Sequence, residues 1–265
     1  MLGVFLVAFA VQEPPAPEKP PPHAQFQIGP AVEYWFPRFK GDMKVDGTST
    51  SGTTIRLLND LNLPDDASIF MYGGGQLGVR ITDSPTEHQT VSFAAEYWSH
   101  TWSGSDRLKV PETLGDHSFP GGTFVESRYT LSSLLLDASL EFSSGLLSGA
   151  FCLSLLVPSA RLRMESATTI AKESVVDLEW GIGLFAEVRP VPWALGGLSV
   201  KGFTSFDDSF SSGAADFRVY AGAAWGPFRL EGGYRVALYD ISSADRSFSS
   251  ALYGPYVSLS AVFRF

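Results

Sequence analysis

The stretch that decides the fold is the last one, Val257-Ser258-Leu259-Ser260-Ala261-Val262-Phe263-Arg264-Phe265. Successive strand residues point to opposite faces, so Val257, Leu259, Ala261, Phe263 and Phe265 share one side and Ser258, Ser260, Val262 and Arg264 the other. One face suits an apolar medium and the other does not. The same two-residue period recurs far from the C-terminus. From Val176 to Arg189 it sets Val176, Leu178, Trp180, Ile182, Leu184, Ala186 and Val188 against a face that carries Asp177, Glu179, Glu187 and Arg189. From Phe228 to Tyr239 it sets Phe228, Leu230, Tyr234, Val236 and Leu238 against Arg229, Glu231 and Arg235. From Val91 to Trp102 it sets Val91, Phe93, Ala95 and Tyr97 against Ser92, Glu96, Trp98 and His100.

Such segments are longer than the ~5 to 6 residues usual in globular strands and long enough to cross a bilayer at a tilt. They predict ten strands, with eight or twelve as alternatives: 26–41, 68–81, 89–102, 124–142, 148–164, 175–189, 196–207, 214–225, 228–241 and 253–265. The predicted links alternate in length. Short ones cover 82–88, 143–147, 190–195 and 226–227, and longer ones cover 42–67, 103–123, 165–174, 208–213 and 242–252. That rhythm, with an even strand number, predicts an all-β, antiparallel, up-and-down transmembrane β-barrel with both termini on the short-turn side. Two strands lose the alternation, one near Pro158-Ser159 and one near Ser132-Ser133, and a β-bulge at each is the expected cause.

Composition agrees. In 265 residues, 45% are hydrophobic and 13% aromatic, with 26 glycines and only 18% charged. No stretch of 18 consecutive apolar residues is present, which excludes ordinary transmembrane helices. A net charge of −9 argues against nucleic acid as a partner, because phosphate binding needs clustered Lys and Arg. Cys152 is the single cysteine, and no Cys/His set has metal-ligand spacing, so no disulfide, metal or cofactor is expected.

The N-terminus opens on an apolar run ending in Ala8-Phe9-Ala10, the small-x-small form of a signal cleavage site, which assigns 1–10 as a signal peptide. Residues 11–24, rich in proline, read as a periplasmic linker and 25–265 as one barrel domain.

The C-terminal strand resembles the recognition signal of outer-membrane proteins, polar-x-Gly-x-x-apolar-x-aromatic, through Ser258, Phe263 and Phe265, with Ser260 where glycine is usual. The segment from Gly52 to Asp66 is similar to the first outer loop of small, poorly characterised barrels of the OmpA-like superfamily in Gram-negative bacteria. These resemblances imply an integral outer-membrane location, contact with membrane lipid and lipopolysaccharide, and recognition by the barrel-assembly machinery. They imply no activity.

Inside the barrel the pattern places Glu33, Arg80, Glu96, Asp137, Glu141, Asp177, Glu179, Glu187, Arg189, Lys201, Arg218, Arg229, Glu231 and Arg235. In a barrel of about ten strands the bore is narrow, so these charges are expected to pair and fill it. A structural or surface-interaction role follows. The alternatives are a narrow solute channel and an enzyme at the outer rim. For the enzyme, Glu96 and His100, four apart on one strand face, are the candidates, with a hydrogen-bonded polar pair as the plainer reading. Acidic loop residues such as Asp42, Asp46, Asp60 and Asp116 read as solvated charge rather than a calcium site. Trp and Tyr near strand ends, namely Tyr34, Trp35, Tyr97, Trp98, Trp102, Trp193, Trp225, Tyr253 and Tyr256, are expected to form interface girdles.

Overall fold

The computed structural model describes residues 23–65, 70–82, 87–206, 212–243 and 245–265. The expected signal peptide and most of the expected linker lie outside the described residues. The strands are β1 (His23–Trp35), β2 (Arg38–Val45), β3 (Ile55–Arg56), β4 (Phe70–Thr82), β5 (Glu87–Arg107), β6 (Glu112–Leu114), β7 (His117–Phe119) and β8 (Phe124–Ser144). There follow β9 (Leu147–Glu165), β10 (Ile170–Val176), β11 (Glu179–Val191), β12 (Ala194–Ser205), β13 (Gly213–Trp225), β14 (Phe228–Ser242), β15 (Arg246–Ala261) and β16 (Phe263–Arg264).

Every long strand pairs antiparallel with its chain neighbour, and β1 pairs with β15, which closes the sheet on itself. Three staves of the barrel are interrupted. β1 and β2 form one stave across Phe36-Pro37, both against β15. β10 and β11 form another, both against β9. β15 and β16 form the last, both against β1. With β4, β5, β8, β9, β12, β13 and β14 this makes the expected ten among the described residues. Closure is sealed at the chain end, where Phe265 and Phe26 exchange backbone hydrogen bonds at 3.0 and 3.2 Å.

On the termini side the described turns are minimal. Ser144 pairs with Leu147 around Gly145, and Trp225 with Phe228 around Gly226. Both glycines hold φ near +60°, which a side chain disfavours and a two-residue hairpin requires.

Above the apolar band the structure departs from expectation. Residues 170–174 and 246–252, expected in loops, are strand, and β2 and β5 run past their predicted ends to Val45 and Arg107. No bulge occurs at either predicted place: Ser133 faces Pro158 and Ser132 faces Ser159 in unbroken register. What changes there is polarity. Along β9 the even positions point inward throughout, yet they pass from Cys152, Ser154 and Leu156 to Ala160, Leu162 and Met164, while the outward set passes from Leu153 and Leu155 to Arg161 and Arg163. Along β8 the outward set passes from Leu136 and Leu134 through Ser132 and Thr130 to Arg128 and Glu126. A reversal of burial preference looks, in one dimension, like a slip of phase. Ser99, Ser132 and Ser159 lie side by side at the changeover.

The barrel therefore has two halves. The lower half exposes Phe26, Ile28, Met71, Leu77, Phe93, Leu136, Leu153, Ile182 and Leu184 outward. The upper half buries Phe39, Met43, Val45, Trp102, Val125, Tyr129, Leu162, Met164, Ile241, Phe248 and Leu252 inward. Their aromatic stack runs from Trp102 to Phe39 (4.4 Å between centroids), Phe39 to Tyr129 (5.2 Å) and Tyr129 to Phe248 (6.0 Å).

Candidate functional site

The lumen of the lower half and the lid over the upper half are the two places where function would reside. All fourteen predicted lumen charges fall on the inner face. Arg218 and Arg235 stand at the centre. Arg218 donates from Nη1 to Glu33 (3.2 Å) and from Nη2 to Glu96 (3.0 Å). Arg235 donates from Nη1 to Glu33 (2.9 Å) and from Nε to Asp216 (2.9 Å). Its guanidinium also lies over the rings of Trp35 (4.9 Å) and Tyr72 (4.7 Å). Rings and carboxylates together replace the water that a buried guanidinium loses.

Beside this cluster Lys201 pairs with Asp137, which also accepts from Ser154 at 2.5 Å. Nearer the termini Glu187 accepts from Arg189 (2.7 Å), Arg229 (2.5 Å) and Tyr220 (3.0 Å), and Arg229 also pairs with Glu231. Arg80 donates to His88 Nδ1 at 2.9 Å. Asp177, close to the changeover, accepts from its neighbour Leu178 N (2.7 Å) and from Ser205 (3.0 Å) and Ser212. Glu179 is different: it is fully buried, and neither carboxylate oxygen has a hydrogen-bond partner among the described residues.

Asp216 belongs to this cluster although it is not among the fourteen expected charges. It follows from the alternation, because Ala214, Asp216, Arg218 and Tyr220 share one parity, and it is the second carboxylate on Arg235.

Glu96 and His100 do not form a dyad. Four strand residues separate them by ~13 Å, and the buried side chain of Trp98 stands between them on the same face. Glu96 is held by Arg218, and His100 lies edge-on to Trp102 with centroids 4.7 Å apart. Over the polar cluster lies a ring-lined layer of Trp35, Tyr72, Trp98 and Tyr239, with neighbouring centroids 5.8 to 6.3 Å apart. A cavity of about 10 Å³ remains there, room for roughly one water.

The lid is built from two loops. β3 pairs with β2 where β4, which starts only at Phe70, leaves β2 without a neighbour. The chain after β3 buries Leu57, Leu61 and Leu63. It passes so close to β5 that a Cβ on Gly104 would lie 2.6 Å from the Asn62 carbonyl oxygen. The β6–β7 hairpin adds buried Leu114 and Phe119. Asp46 fastens the pieces: its carboxylate accepts from Gly52 N (2.7 Å), and its own N–H reaches the Asp245 carbonyl (2.7 Å). Thr53 donates to Glu112 at 2.5 Å, and Asp116 accepts from Thr48 N at 2.8 Å. Hydrogen bonding to Gly52 N holds the Asp46 carboxyl below its ordinary range, and burial pushes the Glu112 carboxyl up. These acids are structural, and among the described residues no His, Cys, Asp and Glu set is arranged to hold a metal ion.

The girdle expectation is half met. Tyr34, Tyr97, Trp193, Trp225 and Tyr253 are exposed outward, whereas Trp35, Trp98, Trp102 and Tyr256 are buried in the interior. Their parity puts them there. The C-terminal strand carries Ser258 opposite Glu33 and Phe263 opposite Ile28; Ser260 faces Ala31 and Phe265 ends the chain exposed. Ala261 is buried, so only four residues of its apolar face are open.

No protein-family model and no curated protein sequence matches this chain. Solved structures do. The outer membrane protease OmpT of Escherichia coli shares 11% identity over 89% of this chain and 97% of its own, with a TM-score of 0.42. Ail, the attachment invasion locus protein of Yersinia pestis, solved with the heparin analogue sucrose octasulfate, shares 12% over 90% and 99%, with a TM-score of 0.31. An outer membrane channel of Pseudomonas putida F1 shares 9% over 89% and 95%, with a TM-score of 0.32. At these identities the likeness is one of architecture, and a protease, an attachment protein and a channel standing side by side assign no activity to this chain.

Proposed function

We propose that this chain is an integral outer-membrane protein with a non-conducting barrel, whose upper half projects beyond the bilayer as a rigid surface for structural or adhesive contacts. The observation that carries this reading is the double filling of the bore: paired charges and aromatic rings below, a buried apolar core with a lid above. From Phe228 to Leu238, at ~3.3 Å per residue and a tilt of ~40°, the exposed apolar face rises ~25 Å, the height of the apolar band of membrane barrels. The minimal turns and both termini then face the periplasm, the N-terminal 1–10 segment acts as the export signal, and Ser258, Ser260, Phe263 and Phe265 present the assembly signal. The enzyme alternative has less behind it, since Glu96 is engaged by Arg218 and separated from His100.

Reconstitution in planar bilayers tests the reading. The expected trace stays at background across physiological voltages, while protease protection and fractionation recover the chain with the outer membrane. Stepwise conductance would overturn the filled bore. Recovery as a soluble periplasmic protein would overturn the membrane placement.

A further inference from the structure

The outer wall of the upper half carries a row of cations that nothing in the fold requires. Arg128 on β8 faces Arg163 on β9, which in turn faces Lys172 on β10. All three point outward, and Arg161 lies one outward position below Arg163. Directly opposed residues have Cβ atoms ~5 Å apart, so three like charges are set along ~10 Å of wall, an arrangement that costs stability. Arg163 pairs with Glu165, but Arg128, Arg161 and Lys172 have no ion pair among the described residues. A groove of about 380 Å³ is lined by Ser103, Ser105, Arg128 and Arg163, with Glu126 and Glu165 on its rim side.

We propose that this row binds the phosphates of a phosphorylated glycolipid of the outer leaflet, its acyl chains lying on Leu134, Leu155 and Val176 below. The proposal rests on the membrane placement above. Height selects the headgroup. Lys172 stands four residues above Val176, or ~10 Å in height on a strand tilted by ~40°, and its side chain reaches back only part of that distance. A phosphodiester at the hydrocarbon edge lies beneath this row, whereas phosphates carried on sugar rings lie level with it. Guanidinium forks suit such oxygens, and Thr130 and Ser174 on the same face add hydroxyl donors. The acids at the rim side keep the anion from passing upward.

The test uses the full-length mature protein in zwitterionic bicelles, with lipopolysaccharide, phosphatidylglycerol and inorganic phosphate as separate probes. Wild type is expected to bind lipopolysaccharide at least tenfold more tightly than phosphatidylglycerol, and millimolar phosphate is expected to compete weakly. Arg128→Glu with Arg161→Glu should weaken lipopolysaccharide binding at least tenfold. Lys40→Glu, an outward cation on the first stave, should change it less than twofold. Equal binding by the double variant overturns the site. Equal loss in Lys40→Glu shows diffuse electrostatics and also overturns it, as does full competition by free phosphate. Insertion is scored separately by the heat-modified gel mobility of each protein. A wild type that fails to insert refutes the membrane reading, whereas a double variant that inserts and still binds refutes only this one.

Discussion

The two halves of this barrel solve opposite problems with one strand geometry. Below the level of Ser99, Ser132 and Ser159 the outside is apolar and the inside charged; above it the outside is charged and the inside apolar. The pleat never slips, so only the choice of side chain at each parity has changed. An apolar exterior is stable where the surroundings are hydrocarbon, and an apolar interior where they are water. On the proposed membrane placement, the changeover marks a solvent boundary on the surface of the molecule. The inner surfaces differ in kind as well. The lower bore is held by a few directional ion pairs, and the upper one by many non-directional contacts.

The largest expected effect breaks the lower half. In Arg235→Ala, Asp216 loses a buried partner, Glu33 keeps only Arg218, and the faces of Trp35 and Tyr72 lose their cation. A loss of ~3–5 kcal/mol is expected from stranding buried charge, read from urea unfolding in lipid vesicles. A loss under ~1 kcal/mol would mean that water enters the lower bore and that it is not filled.

Much of the lower half was legible in the sequence, because a barrel wall between an apolar outside and a charged inside writes the clearest possible alternation. Val176 to Arg189 and Phe228 to Tyr239 give the right faces without any knowledge of neighbours. The upper half was not. Arg246 to Leu252 offers only Phe248 and Leu252 as large inward residues, between serines that also suit a loop, and the strand is fixed by its pairing with β2. Pairing partners distant in sequence leave no local trace. The lid was illegible for the same reason, since Gly104 and Asn62 announce nothing until they are seen in contact.

The second effect sharpens the boundary itself. Ala138 points outward midway between Leu134 and Phe142, and Thr130 points outward on the same strand above the changeover. Ala138→Arg is expected to cost ~2–4 kcal/mol in vesicles, the cost of a cation near the bilayer midplane. Thr130→Glu, which sets a carboxylate opposite Arg161, should stay within ~0.5 kcal/mol, as surface changes do. Equal costs at both positions would erase the two-half description.

A smaller effect of opposite sign lies at the seam. Glu179 is buried without a hydrogen-bond partner and faces Leu156 and Ser205 across the sheet. Exchanging an unpaired buried carboxyl for an apolar group removes a desolvation penalty, so Glu179→Leu should stabilise by ~1–3 kcal/mol, whereas Glu187→Leu, which takes the carboxylate from Arg189 and leaves Arg229 with Glu231 alone, should destabilise. Finding that both variants destabilise would show that Glu179 has an undetected partner and that the seam belongs to the polar network.

The smallest effect concerns the lid, where two acids oppose each other. Asp46 has a lowered pKa because Gly52 N donates to its carboxylate, so its stabilisation is present above the ordinary Asp range and is lost as pH falls through the depressed value. Glu112 has a raised pKa because it is buried, so its protonated form suits the fold, and a penalty grows as pH rises from the ordinary Glu range through the elevated value. Hydrogen exchange of the Gly52 and Thr113 amides should therefore be slowest in a window between the two titrations and accelerate on either side. Asp46→Asn should flatten the acid limb, and Glu112→Gln the other. Exchange in Glu112→Gln that still accelerates on that limb, after correction for the intrinsic pH dependence, would show that burial of Glu112 is not what loosens the lid. Because the lid covers a buried apolar core, neither variant is expected to admit current when placed in a bilayer.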